Sequence, residues 1–117
     1  MKRFLAIIRQ PGDKKRRRSK KANELYTNNL VMWFNKYTHL GNFVDASDLN
    51  QKGIMLYNSQ MIKNDVHRNG KETVSGFIMV KAFDLEHAVS IMSECPLYDD
   101  GAYVELREVE STATPRY

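Results

Sequence analysis

The chain has 117 residues and a mass of 13.6 kDa, room for one compact domain with one hydrophobic core but not for two catalytic domains. Hydrophobic residues make up 42% and charged residues 27%, which excludes a disordered chain. The longest apolar run, Phe4 to Ile8, is too short for a membrane span or a signal peptide. The single cysteine, Cys95, excludes an internal disulfide and favours a reducing compartment. We therefore expect a soluble, cytoplasmic protein.

The formal charge of +4 is concentrated in one short segment. Seven of the 18 basic residues fall within eight positions, namely Lys14, Lys15, Arg16, Arg17, Arg18, Lys20 and Lys21. The remainder of the chain has 11 basic and 14 acidic residues, so its formal net charge is −3. A block of like charge is typical of a solvated loop or helix start, and the acidic remainder favours this interpretation. Association with nucleic acid through residues 14–21 is kept as an alternative.

The first third of the chain predicts a strand followed by a long helix. Lys2 to Arg9 is nearly all apolar at its centre, as expected of a strand buried on both faces, and it ends before Pro11. Ser19 is a suitable N-cap for the helix and Gly41 a suitable stop. Apolar residues recur along one helix face, at Tyr26, Leu30, Trp33, Phe34, Tyr37 and Leu40.

The middle of the chain predicts short extended segments. One begins at Phe43-Val44 and is broken by the polar residues 45–52, and a second covers residues 54–57. Asn69-Gly70 is a strong hairpin signal, and it predicts that residues 60–66 pair with residues 72–80. Phe77 to Val80 reads as another strand buried on both faces.

The last third predicts a helix and a final strand. Asp84 caps the helix and Pro96 ends it, and its inner stripe is predicted to be Leu85, Ala88, Val89, Met92 and Cys95. The final strand alternates with period two, so that Ala102, Val104 and Leu106 share one face and Tyr103, Glu105 and Arg107 the other. We expect one domain over residues 1–109, with the basic loop or helix start at 11–21 and a frayed tail at 110–117.

The order of elements predicts an α+β, ferredoxin-like fold. One helix follows the first strand and another follows the third, which is the split βαβ arrangement of an antiparallel sheet with two helices on one face. The other face is left open, and it carries apolar residues of the Phe4–Ile8 and Phe77–Val80 segments. Because so large an apolar face is rarely left to solvent, we expect a homodimer through the open sheet face.

Several blocks near the end of the chain resemble those of a known family. They are Lys71-Glu72-Thr73-Val74-Ser75-Gly76-Phe77, Phe83-Asp84-Leu85-Glu86-His87-Ala88, Cys95-Pro96 and Gly101-Ala102-Tyr103-Val104-Glu105-Leu106-Arg107. The sequence resembles the YCII-related, or DGPF-domain, family of the dimeric α+β barrel superfamily. The resemblance implies a face-to-face homodimer. We expect a small molecule to bind between the two sheets and predict no cofactor, because the sequence contains no Gly-rich phosphate loop. Most members have no established reaction, and a few resemble enzymes that act on small aromatic ring compounds.

The sequence departs from the family pattern at two places. Asn64-Asp65-Val66-His67 stands where the family has Asp-Gly-Pro-Phe, and the first helix has Asn28 and Asn29 where some members carry a histidine early in that helix. Both departures weaken the case for a transferred reaction. A small enzyme of isomerase or lyase type, acting on a cyclic or aromatic compound by proton transfer, is therefore the alternative to a binding protein without demonstrable activity.

Four residues are candidates for contact with a ligand: His67, Glu72, Glu105 and Arg107. His67 lies beside the predicted hairpin turn, and Glu105 and Arg107 share a strand face, where an arginine can hold a small anion. Glu72 is a candidate to reach Arg107 across the open face. We interpret His39 and His87 as structural and Cys95 as a small core residue. The spacing of histidines and carboxylates predicts no metal site, and no catalytic residue is assigned.

Overall fold

The computed structural model describes residues 1–11, 19–60, 62–68, 70 and 72–110. Their strands are β1 (Lys2–Pro11), β2 (Phe43–Asp48), β3 (Met55–Leu56), β4 (Ile62–Lys63), β5 (Glu72–Ala82) and β6 (Tyr103–Glu108). The helices are α1 (Lys20–His39) and α2 (Leu85–Ser93), and a 3-10 turn covers Pro96–Asp100. The predicted residues Lys14 to Arg18, Asn69 and Lys71 and most of the predicted tail lie outside the described residues.

Local signals set the beginnings of both helices and the end of α1 as predicted, whereas α2 ends at Ser93, before the predicted stop at Pro96. The Ser19 hydroxyl accepts a hydrogen bond from the Ala22 amide at 3.1 Å, and the Asp84 carboxylate accepts one from the His87 amide at 2.8 Å. After α1 the chain turns at Gly41 with φ of +79°, a conformation that glycine adopts without the steric cost of a Cβ atom. These caps determine where each helix enters and leaves the layer above the sheet.

Four strands form one antiparallel sheet in the order β2-β5-β1-β6. With α1 after β1 and α2 after β5, this is the ferredoxin-like arrangement, so the predicted α+β class and topology are confirmed. The described strands leave this sheet open and do not close a barrel within one chain. A β-bulge interrupts the β1-β5 ladder, where Ile8 pairs with Gly76 and Arg9 with Val74, so that Ser75 is the extra residue.

The hydrophobic core lies between the helices and one face of the sheet. Its members from the two central strands are Phe4, Ala6, Ile78, Val80 and Ala82, and those from the helices include Trp33, Tyr37, Ala88, Ile91 and Met92. Both helices therefore cover the same face of the sheet. The opposite face has no cover from the described part of this chain, and its central apolar side chains are only half-buried. The prediction that β1 and β5 are buried on both faces is thus wrong for the single chain.

Three further expectations are corrected. Strand β2 continues through Asp48 and is not broken at the polar residues, because it pairs with β5 as an edge strand with an exposed side. The inner stripe of α2 contains Ile91, whereas Leu85 and Val89 are half exposed. The hairpin prediction is wrong as well. β4 pairs with β3, since both edges of β5 are already occupied by β1 and β2.

Residues 52–60 and 62–68 form a separate hairpin, which we call the arm. It is held at its base by two hydrogen bonds to β5, from the Leu49 amide to the Ser75 carbonyl at 2.9 Å and from the Thr73 hydroxyl to the Gln51 side chain at 3.0 Å. Gly53 allows the two sides of the arm to approach, because a Cβ atom there would lie 2.6 Å from the Val66 side chain. The arm leaves the sheet at the end where β1 finishes and β5 begins.

Candidate ligand-binding site on the open face of the sheet

The uncovered face of the sheet has an apolar centre. Register pairs Leu5 with Met79 and Ile7 with Phe77, so these four side chains lie side by side on the central strands. Each is half-buried in the single chain. Contiguous exposed apolar side chains are typical of interaction surfaces.

A polar cluster lies at the end of this face from which the arm leaves. Arg9 at the end of β1 forms an ion pair with Glu105 of β6, at 3.2 Å between the guanidinium and the carboxylate. The Tyr103 hydroxyl donates a hydrogen bond of 2.5 Å to the Glu72 carboxylate. Because Arg9 and Tyr103 are register partners, the two bonded pairs are neighbours. We call Arg9, Glu72, Tyr103 and Glu105 the polar cluster.

The electrostatics of the polar cluster define what it offers a ligand. The hydrogen bond to Glu72 is the main cause that raises the pKa of Tyr103 above its ordinary value of 10.0, and desolvation contributes in the same direction. The phenol is therefore protonated at neutral pH and acts as a hydrogen-bond donor. One arginine and two carboxylates give the cluster a formal charge of −1, which suits a neutral or cationic polar group better than an anion.

The opposite end of the open face is basic. Arg3 and Lys81 are register partners on the central strands, and Arg107 of β6 lies beside Leu5. Arg9 lies six positions after Arg3 on β1, or about 20 Å along the strand. The face thus has a basic end, an apolar centre and an acidic end.

The structure brings together two of the four residues predicted to contact a ligand. Glu72 and Glu105 both belong to the polar cluster. Arg107 is on the same face, but it pairs with Leu5 while Glu72 pairs with Pro11, so they lie about 20 Å apart. The prediction of a contact between Glu72 and Arg107 is therefore wrong. His67 is exposed in the arm.

Two residues of the polar cluster were not singled out from the sequence. Arg9 follows the apolar run of β1 and was assigned only as the end of a buried strand. Alternation along β1 does carry the signal, because Leu5, Ile7 and Arg9 share the open face with their partners on β6. Tyr103 was placed on the correct face, but its bond to Glu72 depends on a bulge that periodicity does not reveal.

The remaining candidates have structural surroundings. His39 lies in the last turn of α1. The Nδ1 atom of His87 accepts a hydrogen bond from the Phe83 amide at 3.0 Å, and the His87 ring stacks on the Phe83 ring. Burial raises the pKa of the Cys95 thiol to about 11, so it is a poor nucleophile at neutral pH. Within the described ranges, no three histidine, cysteine or carboxylate side chains are grouped closely enough to hold a metal ion.

Little of the basic segment belongs to the described part of the chain. Lys20 and Lys21 are exposed in the first turn of α1, and the other five predicted residues lie outside the described ranges. Among the helices that the structure describes, none has the length and apolar character needed to cross a membrane.

The sequence matches a known protein family. The sequence of residues 9–111 fits the YCII-related domain, which covers β2, β5, β6, both helices and the last three residues of β1. A search of curated proteins gives no match. The match extends over the polar cluster and the arm.

Proposed function

Since the chain belongs to the YCII-related domain family, we propose that it is a homodimer, formed through the open sheet faces, that binds a small molecule at the polar cluster. The observation that carries this proposal is the open face itself. Its half-buried strip of Leu5, Ile7, Phe77 and Met79 is apolar, and one end holds four side chains already joined by an ion pair and a hydrogen bond.

The charges on the open face support an antiparallel pairing of two copies. In an antiparallel pairing, the two-fold axis passes between the apolar centres and runs across the strands. It places the basic end of one face, with Arg3, Lys81 and Arg107, against the acidic end of the other. The apolar strips then cover each other, and the polar cluster lies near the rim of the interface. This arrangement supplies both hydrophobic burial and charge complementarity.

Sedimentation equilibrium tests the dimer. We expect the wild-type protein to sediment at twice 13.6 kDa, and Phe77→Glu or Ile7→Lys to give a folded monomer, because each puts a charge in the apolar strip. Leu25→Glu, on the exposed surface of α1, is the matched control and should stay dimeric. A wild-type monomer, or a dimer that survives both substitutions, would contradict the proposal.

Two probes of opposite charge test the ligand site. Benzylamine should shift the amide NMR signals of Arg9, Tyr103 and Glu105 more strongly than benzoate does, because the cluster has a net negative charge. Glu72→Gln should weaken this response, whereas Glu108→Gln, which removes an exposed carboxylate paired with Lys2 at 3.3 Å, should leave it unchanged. Equal responses to both probes, or shifts elsewhere on the surface, would overturn the assignment.

The Tyr103–Glu72 hydrogen bond favours a second candidate function, proton transfer on a small cyclic or aromatic compound. Here the Glu72 carboxylate would accept a proton and the Tyr103 phenol would donate one to the substrate. Measuring the exchange of a bound compound's acidic protons in D2O distinguishes this enzyme from a binding protein, because only the enzyme would catalyse that exchange. Glu72→Gln should abolish exchange and Tyr103→Phe should reduce it.

A further inference from the structure

The arm exposes apolar side chains that the rest of its own chain does not cover. Ile54, Leu56, Tyr57 and Ile62 are each more than half exposed, although they lie within nine residues of one another. The ladder that holds them consists of two residue pairs, Met55 with Lys63 and Leu56 with Ile62. A two-stranded hairpin of this size is marginally stable in water on its own, so contact with another surface would stabilise it.

A second exposed apolar surface lies where α2 begins. It consists of Phe83, Leu85 and Val89, of which Phe83 is 71% exposed, and we call it the α2 patch. Leu85 and Val89 are four residues apart and so share one face of the helix. Asp84 and Glu86 flank these side chains and give the patch an acidic border.

The arm and the α2 patch are complementary in charge. The arm contains Lys52, Lys63 and Arg68 against one acidic residue, Asp65. The arm is thus a basic surface with apolar side chains on either side of its turn, and the α2 patch is an apolar surface with an acidic border. An apolar contact surrounded by opposite charges is the usual composition of a protein interface, whereas a nucleic-acid interface is mainly polar.

Within one chain, the arm and the α2 patch lie at opposite ends of β5. The arm leads into the first residue of β5 and the α2 patch follows its last, and the 11 residues of β5 span about 33 Å. The arm extends about 23 Å from Lys52 to its turn if fully extended, so it does not reach the α2 patch of its own chain.

We infer that the arm of each subunit docks on the α2 patch of a second copy of this chain, Leu56 and Tyr57 packing against Phe83, Leu85 and Val89. This inference rests on the antiparallel homodimer proposed above. That pairing places the arm end of one sheet beside the partner's opposite end, where α2 starts. The arm then has to extend past the partner's sheet to the partner's helix layer. The thickness of these two layers is about 20 Å, which is within the length of the arm.

Cysteine cross-linking tests this contact. A chain carrying both Leu56→Cys and Val89→Cys should form a disulfide-linked dimer on mild oxidation, because the two sites of one chain are too far apart to bridge each other. Each single variant, and the pair Leu25→Cys with Leu56→Cys, are the controls and should give little cross-linked product. The natural thiol of Cys95 is 2% exposed and contributes no background. Equal cross-linking in the control pair would overturn the inference.

Charge reversal gives an independent readout. Lys63→Glu and Glu86→Lys should each weaken the dimer about two- to tenfold, as expected for exposed charge pairs formed twice per dimer, and the two together should restore its affinity. A dimer that responds to Phe77→Glu but neither cross-links nor responds to these variants overturns the arm contact and leaves the sheet-face dimer standing. A monomeric wild-type protein overturns both, and if Lys63→Glu then reduces binding to duplex DNA at low salt, the arm belongs to a nucleic-acid surface.

Discussion

The indole N–H of Trp33 donates a hydrogen bond to the main-chain carbonyl of Ile91 at 3.0 Å, and this bond joins the two helices inside the core. The carbonyl belongs to the last turn of α2, where its main-chain hydrogen bond is a long one of 3.4 Å from the Glu94 amide. Trp33 also packs edge-on against Phe34 and against the tilted ring of Tyr37. One side chain of α1 thus both fills the core and completes the hydrogen bonding of α2.

Trp33→Phe should destabilise the protein by about 1–3 kcal/mol, because the buried carbonyl of Ile91 keeps only the 3.4 Å bond from the Glu94 amide and the smaller ring fills less of the core. Urea denaturation followed by far-UV circular dichroism measures this change. Met32→Leu, at an exposed position of the same helix, is the control and should alter the free energy of unfolding by less than about 0.5 kcal/mol. A loss no larger than that of the control would show that the bond contributes nothing.

Glu94 makes stability depend on pH. Its carboxylate accepts hydrogen bonds from Lys36, at 2.8 Å, and from Tyr37, and these bonds lower the pKa of Glu94. A lowered pKa in the folded state contributes stability above the ordinary carboxyl pKa, and this is lost as pH falls through the lowered value. Glu94→Gln should therefore lower the urea midpoint at neutral pH but not in strong acid. Glu108→Gln is the matched control, and an equal effect of Glu94→Gln at both pH values would contradict this account.

Cys95 should react with Ellman's reagent only when the protein unfolds. Its side chain is buried, and burial raises the pKa of the thiol from 9.0 to about 11. The buried neutral thiol favours the folded state, and that contribution is lost as pH rises from 9.0 through about 11. Reaction of the native protein at mildly alkaline pH, at the rate of a urea-unfolded sample, would show that the thiol is accessible.

Gly76→Ala should destabilise the pairing of β2 with β5. A Cβ atom at Gly76 would lie 2.7 Å from the Ser47 carbonyl oxygen, which is main chain and cannot rotate away. We expect a loss of about 1–3 kcal/mol and faster amide exchange in β2 than in α1. Ser47→Ala, at an exposed position of β2, is the control. Unchanged protection of the β2 amides would show that the edge strand adjusts without cost.

The features that could be predicted from the sequence are those that depend on neighbouring residues. The helix caps at Ser19 and Asp84 and the turn at Gly41 were predicted correctly, because each is set within about four residues. The order of strands and helices then determined the topology. The Asn69-Gly70 signal failed because pairing of distant strands decides the register, and β5 already has β1 and β2 as neighbours.

The candidate site was predicted only in part for a similar reason. Glu105 was found because β6 alternates regularly, whereas the bond between Glu72 and Tyr103 joins the beginning of β5 to β6 across the end of β1. Leu85 and Val89 were assigned to the core because helical periodicity identifies an apolar stripe without showing how wide a stripe the sheet covers.

The bulge at Ser75 determines which chemistry each end of β5 presents. A regular alternation counted back from the buried Ile78 would direct Thr73 to the uncovered face and turn Glu72 toward the face that the helices cover. The extra residue reverses this phase, so Thr73 is buried and Glu72 reaches Tyr103. One strand therefore supplies core packing along most of its length and a carboxylate at its start, and a single irregular residue separates the two roles.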